Sequence, residues 1–242
     1  FWSTISFVKG IGSKRLIHLY EQYPHMNFNN IDDILQTITR KHIHRLLTSE
    51  NIERARDHAE KLKKEHEKKQ IKMIPISSES YPVQLRLIPD PPTMLYAKGN
   101  IDLLQEENHL AIVGTRKPTT MGLASAKKIA KTFADKGYTI VSGLALGIDT
   151  AAHQGALQAK YGKTIAVLAG DLTNIYPACN RQLAHNILEN RGLWLSEIPI
   201  GQPSTRGNFV KRDRIQSGLS LAVCPVQTPI QSGTQHTIEY SR

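Results

Sequence analysis

The sequence predicts an α/β fold, a doubly wound and mostly parallel sheet preceded by a small all-α unit. Three observations carry this reading. From Asn108 onward, short apolar runs alternate regularly with helical patterns. Two glycine-punctuated corners, each a strand-like run followed by a turn and a helical pattern, stand about thirty residues apart. Over residues 1–70, by contrast, apolar side chains recur at helical spacing.

The helical unit is read first. Apolar residues fall on one helical face over 15–23, 31–38 and 43–47, and a last helix spans 50–69. Its end, Lys61-Leu-Lys-Lys-Glu-His-Glu-Lys-Lys69, mixes charges as an exposed face with i,i+4 pairs does. Val8-Lys-Gly-Ile-Gly-Ser-Lys-Arg-Leu16 places Gly-Ile-Gly between two helical patterns. That string fits a helix-hairpin-helix turn holding a phosphate beside Lys14 and Arg15, and equally an ordinary turn over a buried Ile11. The boundary falls near residue 70, giving a helical module at 1–70 and an α/β domain at 71–242.

Residues 71–99 read as a connector with edge elements, because Pro75, Pro82 and Pro89-Asp-Pro-Pro92 interrupt any long helix. Beyond it, strands are expected at 109–113, 138–142, 163–168, 193–196 and 220–224. Helices are expected near 122–136, 148–160, 178–190 and 210–217. Apolar strands separated by helices imply a sheet covered on both faces.

The first corner, Leu110-Ala-Ile-Val-Gly-Thr-Arg-Lys-Pro-Thr-Thr-Met-Gly122, has the form of a phosphate-binding turn. Gly114 permits the turn, the helix opening near Gly122 supplies N–H groups and a positive dipole end, and Arg116 and Lys117 add full charges. The second corner, Tyr138 to His153, repeats the design with Ser142, Gly143 and Gly147, so adjacent phosphates are expected outside the carboxyl ends of neighbouring strands. Asp149 and His153, four residues apart on the following helix, read as a structural hydrogen-bonded pair.

Composition narrows the partner. A formal charge of +10 spread over both halves favours a polyanion, with nucleic acid first. Cys179 and Cys224 stand at no metal-ligand spacing, so neither a zinc site nor a disulfide framework is indicated, and no cofactor is expected. No apolar stretch approaches the roughly 20 residues of a membrane span, and no signal-peptide pattern opens the chain, so a soluble, cytoplasmic protein is expected. Phe1 is not a natural start residue and Ser241-Arg242 carries no stop signal, so both ends are open to truncation.

Several strings in one order resemble the DprA/Smf family, DNA-processing proteins of bacterial transformation. They are Val113-Gly-Thr-Arg116, Ser142-Gly-Leu-Ala-Leu-Gly-Ile-Asp-Thr-Ala-Ala-His153, Thr164-Ile-Ala-Val-Leu168, Tyr176-Pro-Ala-Cys-Asn180, Leu195-Ser-Glu-Ile-Pro199 and Arg212-Asp-Arg-Ile215. The resemblance implies an extended Rossmann-like domain after a helical module often likened to a sterile alpha motif. It also implies single-stranded DNA binding, homodimer formation and loading of RecA recombinase, with no catalytic residue and no metal. The chain departs from the family pattern at Asp213, where asparagine is usual, and in its early end after Ser232-Gly-Thr-Gln-His-Thr237.

The expected DNA-binding residues are therefore Gly114, Thr115, Arg116, Lys117, Ser142, Gly143, Gly147, Arg206, Asn208, Phe209, Arg212, Arg214, Ser232, Gly233 and Thr234. Arg206 to Arg214 interleaves cations with one aromatic, the composition of a single-strand groove, and the resemblance points to Arg206 and Phe209 as its basic and base-contacting members. Arg212 and Arg214 also fit clamps on Asp213 or Glu197. Tyr176 and Asn180 are read as shaping a loop, and Lys163 as lying at the far end of the sheet. The rival function is a nucleotide-binding sensor or a nucleoside-monophosphate hydrolase of the lysine-decarboxylase-like type, echoed in Gly233-Thr234 and Glu239.

Overall fold

The computed structural model describes residues 1–29, 32, 35, 36, 41–228, 237, 239 and 240. Its frame is a sheet of β1 (Lys72–Pro75), β2 (Met94–Gly99), β3 (His109–Gly114), β4 (Thr139–Ser142), β5 (Lys163–Val167), β6 (Leu193–Ser196) and β7 (Ala222–Val226). The spatial order is β1-β2-β6-β5-β4-β3-β7. β3 to β7 are mutually parallel, whereas β1 and β2 add an antiparallel edge. Five strands begin within two residues of their expected starts. The edge elements expected in the connector are two strands, β1 and β2, and Pro75 is tolerated because β1 is at the edge of the sheet.

Side-chain alternation sorts the core into layers. Leu110, Ile112 and Ile140 pack with the alanines of α6 (Thr120–Asp135) and α7 (Ile148–Leu157). Farther along the sheet, Ala166 and Trp194 meet Ala184 and Ile187 of α8 (Arg181–Glu189). Ala111, Val141, Ile165 and Val167 form the opposite face, with Leu85 of α5 (Val83–Arg86) and Ile215 and Leu219 of α9 (Arg206–Leu219). β7 lies on one side of β3 and β4 on the other, with α6 and α9 on opposite faces, so a crevice opens at the carboxyl end of β3.

The N-terminal helices are α1 (Trp2–Ile5), α2 (Ser13–Gln22), α3 (Lys41–His44) and α4 (Ser49–Lys68). Trp2, Ile5, Val8, Leu16, Leu19, Ile43, Leu47 and Ile52 form a cluster of their own. Most of the helix expected over 31–38 lies outside the described residues. Gly10 has a φ of +91°, Ile11 is buried in this cluster, and Arg15 turns back to donate to the Gly10 carbonyl. Of the two readings of this turn, the buried Ile11 is present. α4 carries an i,i+4 pair in the end where it is expected, Lys63–Glu67 at 3.7 Å, and another in its first turns, Glu50–Arg54 at 2.5 Å. Among the described residues no helix is long and apolar enough to cross a membrane.

Candidate nucleic-acid interface

The first corner leaves β3 at Gly114, where a Cβ would sit 2.1 Å from the Val226 carbonyl, so only glycine allows β3 and β7 to approach here. The turn then bonds to itself and to Gln227. Thr115 N–H donates to the Gln227 carbonyl at 3.3 Å, Thr119 N–H donates to the Gln227 side chain at 2.9 Å, and Lys117 N–H donates to the Thr115 hydroxyl at 3.1 Å. Thr119 caps α6 by accepting from Gly122 N–H. The Thr115 amide is thus engaged within the fold, where it already has a partner in Gln227. The side chains of Arg116 and Lys117 remain exposed.

The second corner is closed by its own carboxylate. Asp149 Oδ2 accepts from the Gly143 and Ala145 amides at 3.1 and 3.3 Å, filling the position an anionic ligand would take. Ile148 N–H donates to the Thr115 carbonyl, and Gly147, at φ +80°, leaves the space that carbonyl needs. Ser142 is buried with its hydroxyl donating to the Ile112 carbonyl. The expected pair of adjacent phosphates on two amide cradles is therefore overturned: the second corner buttresses the first.

Burial raises the Asp149 carboxyl above the usual carboxylate range, against the opposing pull of Arg212 and the two amides. His153 does not bond to Asp149, contrary to expectation. Its Nδ1 lies 2.7 Å from the Thr164 hydroxyl, which donates its proton to the Ile140 carbonyl. Burial, with the neighbouring Arg212 charge, pushes His153 down to about 3, so it is neutral at physiological pH.

α9 begins at Arg206, four residues before its expected start, so Arg206, Asn208 and Phe209 all lie in its first turns. Asn208 Oδ1 accepts from the Thr205 hydroxyl at 2.8 Å. Arg212 is buried and donates from one nitrogen to the Gly143 and Val167 carbonyls at 2.7 and 2.6 Å, with its Nε on Asp213. Arg214 grips Glu197 with two bonds of 2.8 and 2.7 Å and donates to the Asp90 carbonyl. Both arginines act as clamps. Arg212 still floors the crevice, whereas the structure does not bring Arg214 to it.

What the fold does assemble is a cleft around Arg116, Phe209 and Tyr176. The Arg116 guanidinium carbon is 5.6 Å from the Phe209 ring centre, and the Tyr176 ring meets Phe209 edge to face at 5.9 Å. Gly143, Ala145 and Leu146 form one wall, and Ser204 to Arg206 the rim. A contiguous recess of about 520 Å³ runs past Gly114, Thr115 and Lys117 to Asp149 and Arg212. Tyr176 is 62% exposed, so its duty is wider than the loop shaping expected of it. Asn180 does shape that loop, donating to the Leu144 carbonyl and the Thr150 hydroxyl. Lys163 pairs with Glu106 at the amino end of β5, away from the cleft. Ser232, Gly233 and Thr234 lie outside the described residues.

Exposed cations beside an exposed and a half-buried aromatic ring suit a chain of phosphates bearing planar bases. The family model described as DNA recombination-mediator protein A matches residues 72–242. The DNA processing protein DprA of Bacillus subtilis is 40% identical over 201 residues, which is 83% of this chain and 67% of that protein. Protein Smf of Synechocystis is 43% identical over 180 residues, 73% of this chain and 45% of its own length. This chain therefore spans from under half to two thirds of these relatives.

Among solved structures, DNA processing protein A from Streptococcus pneumoniae aligns with a TM-score of 0.77 and 30% identity over 100% of this chain and 83% of that one. DNA processing protein A from Helicobacter pylori, solved for its single-stranded DNA binding mode, aligns with a TM-score of 0.64 and 32% identity over 71% of this chain and 76% of that one. With the family model covering the whole sheet domain and the sequence and structural relatives agreeing with it, the chain belongs to the DNA recombination-mediator protein A family, the DprA/Smf proteins.

Proposed function

We propose that this chain binds single-stranded DNA in the cleft around Arg116, Phe209 and Tyr176, without turning it over, and delivers it as a homodimer to RecA recombinase in the cytoplasm. The observation that carries the reading is the convergence of one guanidinium and two aromatic rings at the carboxyl end of the sheet. Arg116, Lys117 and Arg206 take the phosphates, while Phe209 and Tyr176 offer faces to bases. Gly114, Gly143 and Gly147 act by steric clearance, and Arg212 acts through the carbonyls that it holds. Ser232, Gly233 and Thr234 remain proposed members of the site, as does the division into a helical module at 1–70 and a binding domain at 71–242. The single-stranded DNA named for the Helicobacter pylori relative supports the ligand class.

Fluorescence anisotropy tests this with labelled oligo-dT of several lengths, duplex DNA and a mononucleotide, at two salt concentrations. Affinity rises with strand length and falls with salt, because each neutralised phosphate releases counterions. Arg116→Ala weakens binding roughly fivefold or more, the scale of a charge-assisted hydrogen bond of about 1 kcal/mol or above. Tight mononucleotide binding with no gain from length would instead favour the sensor or hydrolase reading. RecA filament formation on coated strands, with and without the protein, tests the handover.

A further inference from the structure

His66 sits in the last turn of α4 within a run of exposed lysines and glutamates, yet it is 1% exposed. Its Nδ1 is 2.7 Å from the Leu62 carbonyl. A carbonyl only accepts, so Nδ1 carries the proton and Nε2 presents a lone pair. Into that lone pair the Ile200 backbone N–H donates at 3.2 Å, across 134 residues of sequence. Tyr96 stacks on the ring at 4.6 Å and 24°, fixing its plane.

Ile200 belongs to the segment that leaves β6 and leads into α9. Other contacts hold this segment as well: Arg214 grips Glu197, Ile198 N–H donates to the Ser196 hydroxyl, Gly201 N–H donates to Asp171, and Gln202 N–H donates to the Pro199 carbonyl. Past them the chain runs exposed from Gln202 to Thr205 and enters the cleft at Arg206. We propose that His66 is a positioning residue: its unprotonated Nε2 ties the helical N-terminal region to the segment that sets Arg206, so that acid releases the tie and weakens DNA binding. Its effect on DNA rests on the binding reading above; the tie itself does not.

The charges facing the ring define the range over which the device works. Glu65 on the same helix and Asp171 from the loop after β5 favour the imidazolium, but burial outweighs them and holds His66 below its ordinary value. Tyr96 is held neutral, its hydroxyl raised by burial. The Ile200 bond is therefore intact at neutral pH. Once Nε2 gains a proton, two N–H donors face each other and the bond is lost.

The test uses the full chain as wild type, His66→Gln and His66→Leu, at pH 7 and pH 5. Two quantities are read: the hydrogen-exchange protection factor of the Ile200 amide and the affinity for oligo-dT. At pH 7, His66→Leu lowers the Ile200 protection factor about tenfold and oligo-dT affinity roughly fivefold, the equilibrium factor of one lost hydrogen bond. Glutamine keeps a donor and an acceptor without titrating, so His66→Gln restores both quantities at pH 7 and loses less of each than wild type at pH 5. Unchanged Ile200 protection in His66→Leu overturns the tie, and reduced protection with unchanged affinity overturns its coupling to the cleft. If His66→Leu fails to fold, equal pH responses of wild type and His66→Gln overturn the proposal. Failure of wild type to bind any single strand sinks the binding reading, while the exchange data still decide whether the tie exists.

Discussion

Gly143 and Arg212 show how one residue type serves two chemistries. Both have the sequence marks of phosphate contacts, a small residue at a strand end and a guanidinium on the next basic segment. In the fold they bind each other: the guanidinium donates to the Gly143 carbonyl and fills the space a Cβ would need, 1.8 Å from an arginine nitrogen. A carbonyl and a phosphate are both oxygen acceptors, so the sequence identifies the donor without identifying its acceptor. The consequence is testable. Gly143→Ala must expel Arg212 or distort β4, leaving the Val167 and Gly143 carbonyls unpaired and Asp149 without its nearest cation. Breaking a buried charged arrangement costs about 3–5 kcal/mol, so the urea midpoint of Gly143→Ala falls well below that of wild type. Thermodynamic stability within about 0.5 kcal/mol of wild type would mean that the clamp contributes little.

At the scale of elements, legibility followed burial. The five parallel strands stood out as apolar runs in the sequence, whereas β1, carrying Pro75 at the sheet edge, and β2, just after Pro91-Pro92, read only as edge elements of a connector. α9 was placed too late because its first turn, Arg206 to Phe209, buries little. Its inward face starts only at Arg212, and periodicity reports buried faces. The same exposure concealed Tyr176, whose only sequence signal was an aromatic beside proline in a loop. These exposed first-turn and loop residues form the proposed binding surface, so stacking and charge should separate by mutation. Phe209→Leu and Tyr176→Leu each weaken oligo-dT binding by about 1–3 kcal/mol, if each ring stacks on a base, and leave the salt slope unchanged. Lys117→Ala, by contrast, lowers the slope by roughly 0.7, one single-strand phosphate's share. A salt titration of the three variants reads both quantities, and a slope altered by the aromatic variants would place those rings against phosphates instead.

Among the described residues, buried histidines lie in three parts of the fold: His66 against Tyr96 of β2, His109 at the start of β3 and His153 under the second corner. Burial lowers all three, His153 to about 3. His109 has a carbonyl near each ring nitrogen, Leu219 at 3.1 Å and Leu103 at 2.8 Å, so its neutral ring can donate to only one of them. The sign of the linkage follows. An unfolded histidine takes its proton near pH 6.5, while the folded ones resist, so below that value the unfolded chain binds more protons and stability falls with pH. Each fully neutral buried histidine contributes a loss of up to about 1.4 kcal/mol per pH unit. Asp149, raised by burial, has the opposite sign and favours the folded state as it protonates. Urea unfolding at pH 7, 6 and 5 should therefore show a slope that steepens below 6.5. His153→Asn removes one histidine's share of that slope while leaving Asp149 in place, even if its stability at pH 7 is lower. Stability that stays level from pH 7 to pH 5 would mean that the folded and unfolded chains take up protons alike over that range, so that burial does not hold these rings neutral.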